Sequence, residues 1–176
     1  GFDFGKLEGG IRVRRATPGE KFTLLDQSEI ECRTDSLVIA DHNKAVALAG
    51  IMGGLDSSGQ SETRNVFLEA AFFAPLDLAG KARSDGIHTV CSHRFERGVG
   101  PGLQVRAMHR ATELLLEIVG GEAGPGIDAE IPESMPVRAG VSLRYARIKR
   151  LLGIEISEAE VVEILRSLNM QVEAED

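Results

Sequence analysis

The sequence predicts an α+β fold, in which a domain with a β-sheet core and flanking helices is followed by a smaller helical module. Three observations support this prediction. The first half consists of short apolar runs separated by turn residues, and residues 102–119 have the spacing of an amphipathic helix. The pattern changes again after 126–140, a stretch with two prolines and no periodicity that is typical of a linker.

Short strands are predicted through the first half of the chain. Three are bounded by turn residues: IRVRRA (11–16), FTLLD (22–26) and SLVIAD (36–41). The next four residues, DHNK, indicate a turn, because Asp and Asn side chains bond to their own backbone. Two nearly continuous apolar runs, AVALAGIM (45–52) and NVFLEAAFF (65–73), are typical of strands buried on both faces. We therefore expect a mixed sheet or sandwich.

Helices are predicted in the second half. PLDLAGKARSDG (75–86) has Pro in its first turn and Gly at its end, which favours one helix. Residues 102–119 repeat apolar side chains at three- and four-residue spacings and stop at Gly120.

The pattern after the linker predicts a second module. VSLRYARIKRLLG (141–153) indicates a short strand and then a helix that ends at Gly153. Ser157 and Glu160 have the spacing of a capping box at the start of another helix, and MQVEAED (170–176) suggests a further strand. Because so short a segment cannot bury a core alone, we expect this module to be truncated.

Composition restricts the classes of function. The chain has 176 residues, of which 43% are hydrophobic and 27% charged, as in proteins with a buried core. Its two cysteines form no CxxC pair, its first residue is Gly rather than Met, and we expect neither a leader peptide nor a membrane-spanning segment. We therefore expect a piece of a larger cytoplasmic protein from a reducing compartment.

Charge is unevenly distributed along the chain. The net charge of −7 argues against a general nucleic-acid-binding protein. Residues 81–110 nevertheless carry six basic and two acidic side chains. This local excess indicates either a surface that faces RNA or a solvated helix face.

Several reactive side-chain types occur in HTVCSH (88–93). His88, Cys91 and His93 are zinc-ligand types, and Cys91 with His93 offers a nucleophile and a base. If the segment is extended, Thr89, Cys91 and His93 share one face and His88 points away. The sequence contains no second ligand pair, so the favoured interpretation is a pocket edge or a cap on the next turn, without a metal.

Glu69 is the only charged residue of NVFLEAAFF (65–73). A buried carboxylate requires a compensating partner. Two interpretations therefore remain open: an internal ion pair with Arg94 or Arg97, or an acceptor for a ligand's hydrogen-bond donor.

Glycines 50, 53 and 54 lie in GIMGGLDSSG, which lacks the GK[ST] of a phosphate-binding loop. Nucleotide binding is therefore not expected here. The glycines either form tight turns or leave room for a ligand against the backbone.

Five segments together closely resemble the β subunit of bacterial phenylalanyl-tRNA synthetase: LEGGIRVRRATPGEKFTLLD, LVIADHNKAVALAGIMGG, NVFLEAAFF, GIHTVCSHRFERGV and ATELLLEIVGGEAGP. The resemblance covers essentially the whole chain. It implies that residues 1–137 are a partial B3/B4 tRNA-editing domain. Residues 138–176 would be the N-terminal part of the B5 domain, a small winged-helix-like unit.

The resemblance also implies a function and partners. In the family, two α and two β subunits form a heterotetramer, and the α subunit joins phenylalanine to tRNA(Phe) with ATP and Mg²⁺. The editing domain of the β subunit hydrolyses tyrosine wrongly attached to that tRNA. No cofactor in this segment and no membrane association are expected. Two alternatives are a non-catalytic, structural or tRNA-docking segment, and a zinc-stabilised RNA-binding domain.

Site residues follow from the matching motifs. The resemblance implies that Glu69 contacts the tyrosine hydroxyl and that Gly53 with Gly54 lines the pocket. Thr89 and Cys91 would form another wall, with Thr89 as a candidate for positioning water. Phenylalanine would leave Glu69 unpaired, so we expect the acid to select against it rather than to act as a base.

Two departures from the family pattern carry expectations. The family usually has Ala where this chain has Cys91, which predicts a slightly narrower pocket. The family's HAFD-type motif, with a site histidine, and an asparagine further upstream would precede Gly1. We therefore expect the group that orients the hydrolytic water to lie outside this segment.

Overall fold

The computed structural model describes residues 1–173 and confirms the α+β class. The chain forms two compact units, Gly1–Pro136 and a second unit that begins at Val137. All strands of the described residues belong to the first unit, together with four helices. The assignment of the two units to partial B3/B4 and B5 domains stays a prediction.

A four-stranded sheet forms the centre of the first unit. It contains β2 (Arg12–Arg15), β5 (Leu37–Ala40), β6 (Ala45–Leu48) and β7 (Met52–Gly53), in the order β2-β5-β6-β7. Two-stranded sheets pair β3 (Lys21–Thr23) with β4 (Glu29–Glu31), and β1 (Phe2–Asp3) with β8 (Val66–Phe67). All described pairs are antiparallel, so the expected mixed sheet is wrong for residues 1–173. Several neighbouring strands follow each other through short connections, which only antiparallel pairing permits.

β5 and β6 are buried on both faces, as predicted for the run that begins at Ala45. Val38 and Leu48 pack on one face with Leu24 and Ile30. On the other face a separate cluster combines side chains from the sheet, β1, the 65–73 segment and a helix: Phe2, Ile39, Val46, Ala47, Ala49, Phe73 and Leu78.

The turn DHNK between β5 and β6 is confirmed. The Asp41 carboxylate accepts hydrogen bonds from the backbone amides of Asn43 and Lys44, both at 2.8 Å, and of Glu8 at 3.1 Å. Burial disfavours the charged form of Asp41 and so acts to raise its pKa. The hydrogen bonds from the amides together have the larger effect, and the pKa of the carboxyl group is lowered.

Both long apolar runs form shorter strands than predicted. The run at 45–52 turns after Leu48 and returns as β7, and Gly50 in this turn has a φ of 67°. In the run at 65–73 only β8 is paired, and residues 68–74 are irregular. Phe67, which pairs with Phe2, is the last paired residue of this run.

The predicted helix at 75–86 is two short helices, α1 (Pro75–Leu78) and α2 (Lys81–Ser84). Gly80 separates them with a φ of 74°, a conformation that interrupts a helix. After α3 (Val90–Arg97), α4 (Gln104–Val119) confirms the helix predicted at 102–119 and its end at Gly120. Short 3-10 turns occur at Phe4–Lys6 and Pro132–Ser134.

The second unit contains α5 (Tyr145–Leu152) and α6 (Glu158–Ser167). α5 ends at Gly153 as predicted, but the strand predicted before it, at 141–144, is irregular. Ser157 caps α6 by accepting a bond from the Glu160 amide at 3.3 Å, which confirms half of the predicted capping box. Of the strand predicted at 170–176, residues 170–173 are irregular and 174–176 lie outside the described residues. In the described part of the chain, no helix has both the length and the apolar character needed to cross a membrane.

Glu20 closes the turn between β2 and β3. Its carboxylate accepts two bonds from the Arg14 guanidinium, at 2.8 and 2.6 Å, and one from the Thr17 amide at 2.9 Å. The bonds from Arg14 are the main cause that lowers the pKa of Glu20, from 4.5 to about 2, although burial opposes the shift.

Glu20 is therefore expected to stabilise the fold in a pH-dependent way. Because its folded-state pKa is depressed, the contribution is complete above about pH 4.5 and is lost as the pH falls towards about 2. We expect Glu20→Gln to lower the free energy of unfolding by about 2 kcal/mol near pH 6, and by progressively less below pH 4.5. Urea unfolding at several pH values measures this difference.

Glu31→Gln is the matched control, because Glu31 pairs with Lys21 at 2.8 Å on the exposed surface. We expect it to cost less than about 1 kcal/mol. A cost of Glu20→Gln that does not change with pH would contradict the assignment.

Candidate functional site

The segment HTVCSH is the beginning of helix α3 and is not extended. Thr89 is the N-cap residue, and its hydroxyl oxygen accepts a hydrogen bond from the Ser92 amide at 2.9 Å. The Ser92 hydroxyl oxygen accepts one from the Thr89 amide at 3.1 Å, which completes a capping box. The interpretation of this segment as a cap is confirmed. The shared face of Thr89, Cys91 and His93 is wrong, because helical residues two apart point in different directions.

The Thr89 hydroxyl also joins α3 to the central sheet. It donates a hydrogen bond to the carbonyl oxygen of Ile51, in the turn between β6 and β7, at 2.8 Å. Its single proton is therefore bound to the backbone, and one of its oxygen lone pairs is bound to the Ser92 amide. Thr89 retains one lone pair with which it can accept a further hydrogen bond.

A second contact between α3 and the same turn is made at Gly50. A Cβ atom at Gly50 would lie 2.7 Å from Cδ1 of Leu78, 3.2 Å from Cγ of Phe95 and 3.3 Å from Cδ2 of Phe73. The rings of Phe73 and Phe95 are themselves 5.4 Å apart. The three segments that carry the predicted site residues therefore meet at Gly50: the β6–β7 turn, the 65–73 segment and α3.

Glu69 is exposed in the irregular segment that follows β8, so its predicted burial is wrong. Strand pairing in this run ends at Phe67, two residues before Glu69. Desolvation by the surrounding protein nevertheless raises the pKa of the Glu69 carboxyl group. Neighbouring protein groups thus crowd the Glu69 carboxylate while it stays open to solvent.

The internal ion pair considered for Glu69 is not formed. Within residues 1–173 its carboxylate takes part in no salt bridge, and no hydrogen bond contributes to the shift of its pKa. Arg97, one candidate partner, donates instead to the backbone carbonyl of His93 at 3.0 Å. Glu69 is an accessible carboxylate without a protein partner in the described part of the chain.

The two predicted pocket glycines have different surroundings. A Cβ atom at Gly54 would lie 2.7 Å from the carbonyl oxygen of Val46, which already accepts a bond from the Gly54 amide at 2.8 Å. Glycine is therefore required at 54 for backbone packing. At Gly53 an added Cβ would meet only Leu25, whose Cδ1 is 3.2 Å away and whose side chain is half exposed. Of these two glycines, only Gly53 can accommodate an added group, because the flexible side chain of Leu25 can move away from it.

The other reactive side chains of 88–93 do not assemble. Cys91 is a free, exposed thiol on α3, and His88 and His93 are also exposed. Among residues 1–173, no group of three or more His, Cys, Asp or Glu side chains is placed to hold a metal ion. The residues considered for a zinc site thus form no metal-binding cluster in this structure.

Two depressions lie on the first unit. A cavity of about 130 Å³ is lined by Lys21, Phe22, Val46, Gly54 and Ser57, among others. A wide depression of about 670 Å³ lies beside Arg106, His109, Arg110 and Glu113 of α4. Gly54 borders the smaller cavity, whereas Glu69, Gly53, Thr89 and Cys91 border neither. The predicted residues therefore share neighbouring segments but not one of these two cavities.

Three contributions to this site were not foreseen: Ser92, the Ile51 carbonyl and Phe95. The Thr-x-x-Ser spacing at 89–92 is a readable signal for a cap, although Glu or Gln is the usual fourth residue. The hydrogen bond from Thr89 to Ile51 and the contact of Phe95 with Gly50 have no signal in the local sequence, because each joins residues that are far apart in the chain.

The chain belongs to the B3/4 domain family. The family model matches residues 1–120, which include all eight described strands and helices α1 to α4. This match confirms the resemblance seen in the sequence motifs.

Related proteins agree with the family match. The chain is 54% identical over 175 residues to the phenylalanine–tRNA ligase β subunit of Vibrio parahaemolyticus, covering 99% of this chain and 22% of that protein. It is 54% identical to the β subunit of Hahella chejuensis, covering 97% of this chain and 22% of that protein. It is 53% identical to the β subunit of Pseudomonas putida, covering 96% of this chain and 21% of that protein. The chain thus spans about a fifth of the length of these relatives.

Proposed function

We propose that this chain is a segment of a phenylalanine–tRNA ligase β subunit and carries an editing pocket that hydrolyses tyrosine misattached to tRNA(Phe). Family membership and identities of 52–55% to such β subunits support the first part. The observation that carries the second part is Glu69, an accessible carboxylate without a protein partner in the described residues and with a raised pKa.

An acceptor of this kind discriminates in the direction that editing requires. A synthetic site that accepts phenylalanine excludes one added hydroxyl only weakly, whereas a site built around that hydroxyl rejects its absence by factors of about 10⁴. In the free chain Glu69 is solvated. A tyrosyl group would displace that water and replace it with the phenol hydroxyl, while a phenylalanyl group would displace it and leave the carboxylate unpaired.

The proposal extends to the partners. The chain would assemble with α subunits into an α2β2 enzyme and bind tRNA(Phe), and the excess of basic side chains at 81–110 is compatible with a nearby phosphate backbone. Phenylalanine, ATP and Mg²⁺ would be used by the α subunit. The segment itself would need no cofactor for ester hydrolysis.

A non-catalytic, structural or tRNA-docking segment is the second candidate. Two observations favour it: Glu69 is exposed rather than buried, and the Thr89 proton is bound to Ile51 instead of being free for water. In that case the assembled enzyme would charge tRNA(Phe) normally and leave tyrosyl-tRNA(Phe) intact.

The test is the rate at which the assembled enzyme deacylates tyrosyl-tRNA(Phe) and phenylalanyl-tRNA(Phe). We expect preferential loss of tyrosine. Gly53→Trp should remove this activity, because the indole ring would occupy the proposed pocket beside Leu25, and should leave phenylalanine charging unchanged. Gly102→Trp is the matched control, since nothing lies within 4 Å of a Cβ added at Gly102. A wild-type enzyme that leaves tyrosyl-tRNA(Phe) intact would favour the second candidate.

A further inference from the structure

We propose that Ser92 is a positioning residue for the editing pocket, because its capping box with Thr89 holds helix α3 against the turn that leads to Gly53. This inference rests on the proposed function. It assigns to Ser92 a role that acts through Thr89 and not by contact with the substrate.

The geometry of two linked contacts supports this role: the capping box between Ser92 and Thr89, and the hydrogen bond from Thr89 to Ile51. Ser92 is 4% exposed, and its hydroxyl group bonds to the Thr89 amide at 3.1 Å and to the Thr89 carbonyl at 3.0 Å. These bonds and the return bond from the Ser92 amide hold the N-cap backbone and the Thr89 hydroxyl in one orientation. In that orientation the Thr89 proton reaches the Ile51 carbonyl at 2.8 Å.

The contact connects two of the proposed pocket walls. Ile51 lies two residues before Gly53, and β7 begins at Met52 directly after it. Further along α3, Phe95 packs against Gly50 and Phe73 of the 65–73 segment. The hydrogen bond at Thr89 and the ring contact at Phe95 are therefore two separate points that place α3 relative to the wall at Gly53.

The arrangement also limits what Thr89 can do in hydrolysis. With its proton bound to Ile51 and one lone pair bound to the Ser92 amide, the Thr89 oxygen can only accept one more hydrogen bond. Its partner must be a donor, such as a water molecule or an ammonium group of the substrate. Thr89 cannot remove a proton from water while this bonding is intact, so it orients and does not act as a base.

The experiment measures kcat and KM for tyrosyl-tRNA(Phe) hydrolysis by the assembled enzyme. Ser92→Ala should lower kcat roughly tenfold with KM changed less than about twofold, since substrate contacts remain but one wall is displaced. Thr89→Val should lower kcat at least as much. Thr89→Ser, which keeps the hydroxyl group, should restore most of the rate.

Ser157→Ala is the matched control. Ser157 is the N-cap residue of α6, as Thr89 is of α3, so its substitution also removes a capping hydroxyl group, but it lies in the second unit. Hydrolysis by this variant should equal that of the wild type, which separates positioning from loss of a cap as such. Melting temperatures of Ser92→Ala and Ser157→Ala test whether both variants are folded at the assay temperature.

The outcomes distinguish the two proposals. If the wild type is active, two results overturn the positioning role and leave the proposed function intact. One is an unchanged kcat in Ser92→Ala. The other is a kcat in Thr89→Ser as low as in Thr89→Val. A wild type that does not hydrolyse tyrosyl-tRNA(Phe) overturns the proposed function and the positioning role with it. A selective decrease in kcat, restored in Thr89→Ser, supports both.

Discussion

Glu69→Gln is expected to reduce hydrolysis of tyrosyl-tRNA(Phe) about 100-fold in the assembled enzyme, while charging of phenylalanine is unchanged. The amide keeps the size of the side chain but loses the charge, and a hydrogen bond to a charged group is worth about 1.5–3 kcal/mol. Discrimination between tyrosyl and phenylalanyl esters should decrease by a similar factor. Single-turnover deacylation of the two esters measures both quantities.

Glu62→Gln is the control for this experiment. Glu62 is exposed and lies on the polar loop before β8, so it tests whether loss of any nearby negative charge changes tRNA binding. We expect no change in either deacylation rate. If Glu69→Gln also hydrolyses tyrosyl-tRNA(Phe) at the wild-type rate, the selector role of Glu69 is wrong, although the chain still belongs to its family.

Gly50→Ala is expected to have the largest effect on stability, a decrease in the free energy of unfolding of about 3–5 kcal/mol. Two costs add at this position. A φ of 67° is unfavourable for alanine, and its Cβ would lie 2.7 Å from Leu78, which is 1% exposed. Backbone strain costs about 1–3 kcal/mol, and overpacking costs a similar amount. Leu78 has little space to move into, because it is packed in the cluster with Phe73.

Gly19→Ala separates these two costs. Gly19 has a φ of 74°, but nothing lies within 4 Å of an added Cβ, so only the strain is present. We expect a loss of about 1 kcal/mol. Urea unfolding of the two variants therefore measures the packing contribution by difference. Equal losses would show that the contacts of Gly50 with Leu78, Phe73 and Phe95 do not restrict this position.

Elements with a local signal were predicted well. Helix α4 and its end at Gly120 follow from spacings of three and four residues, and the Asp41 turn follows from side chains that bond to adjacent backbone amides. The helix at 75–86 was predicted as continuous because Pro75 and Gly86 mark its ends. Gly80 interrupts it through a backbone conformation that the pattern of apolar residues does not encode.

The segments of the candidate site have a signal in the sequence, whereas the contacts between them do not. The motifs identified the family and the segments that carry Glu69, Gly53 and Thr89, and the structure brings those segments together at Gly50. The predicted burial of Glu69 was wrong, because apolar neighbours in sequence do not guarantee cover in space. Glu69 lies in an irregular segment after Phe67, the last paired residue of the run.

The amino-acid sequence by itself determined the family, the α+β class and the positions of most helices and strands, because these depend on the order and spacing of neighbouring residues. Only the tertiary structure decided the exposure of Glu69, the need for glycine at 54 and the partner of the Thr89 proton. Each of these depends on a contact or its absence between distant segments, and the Thr89–Ile51 bond joins residues 38 positions apart.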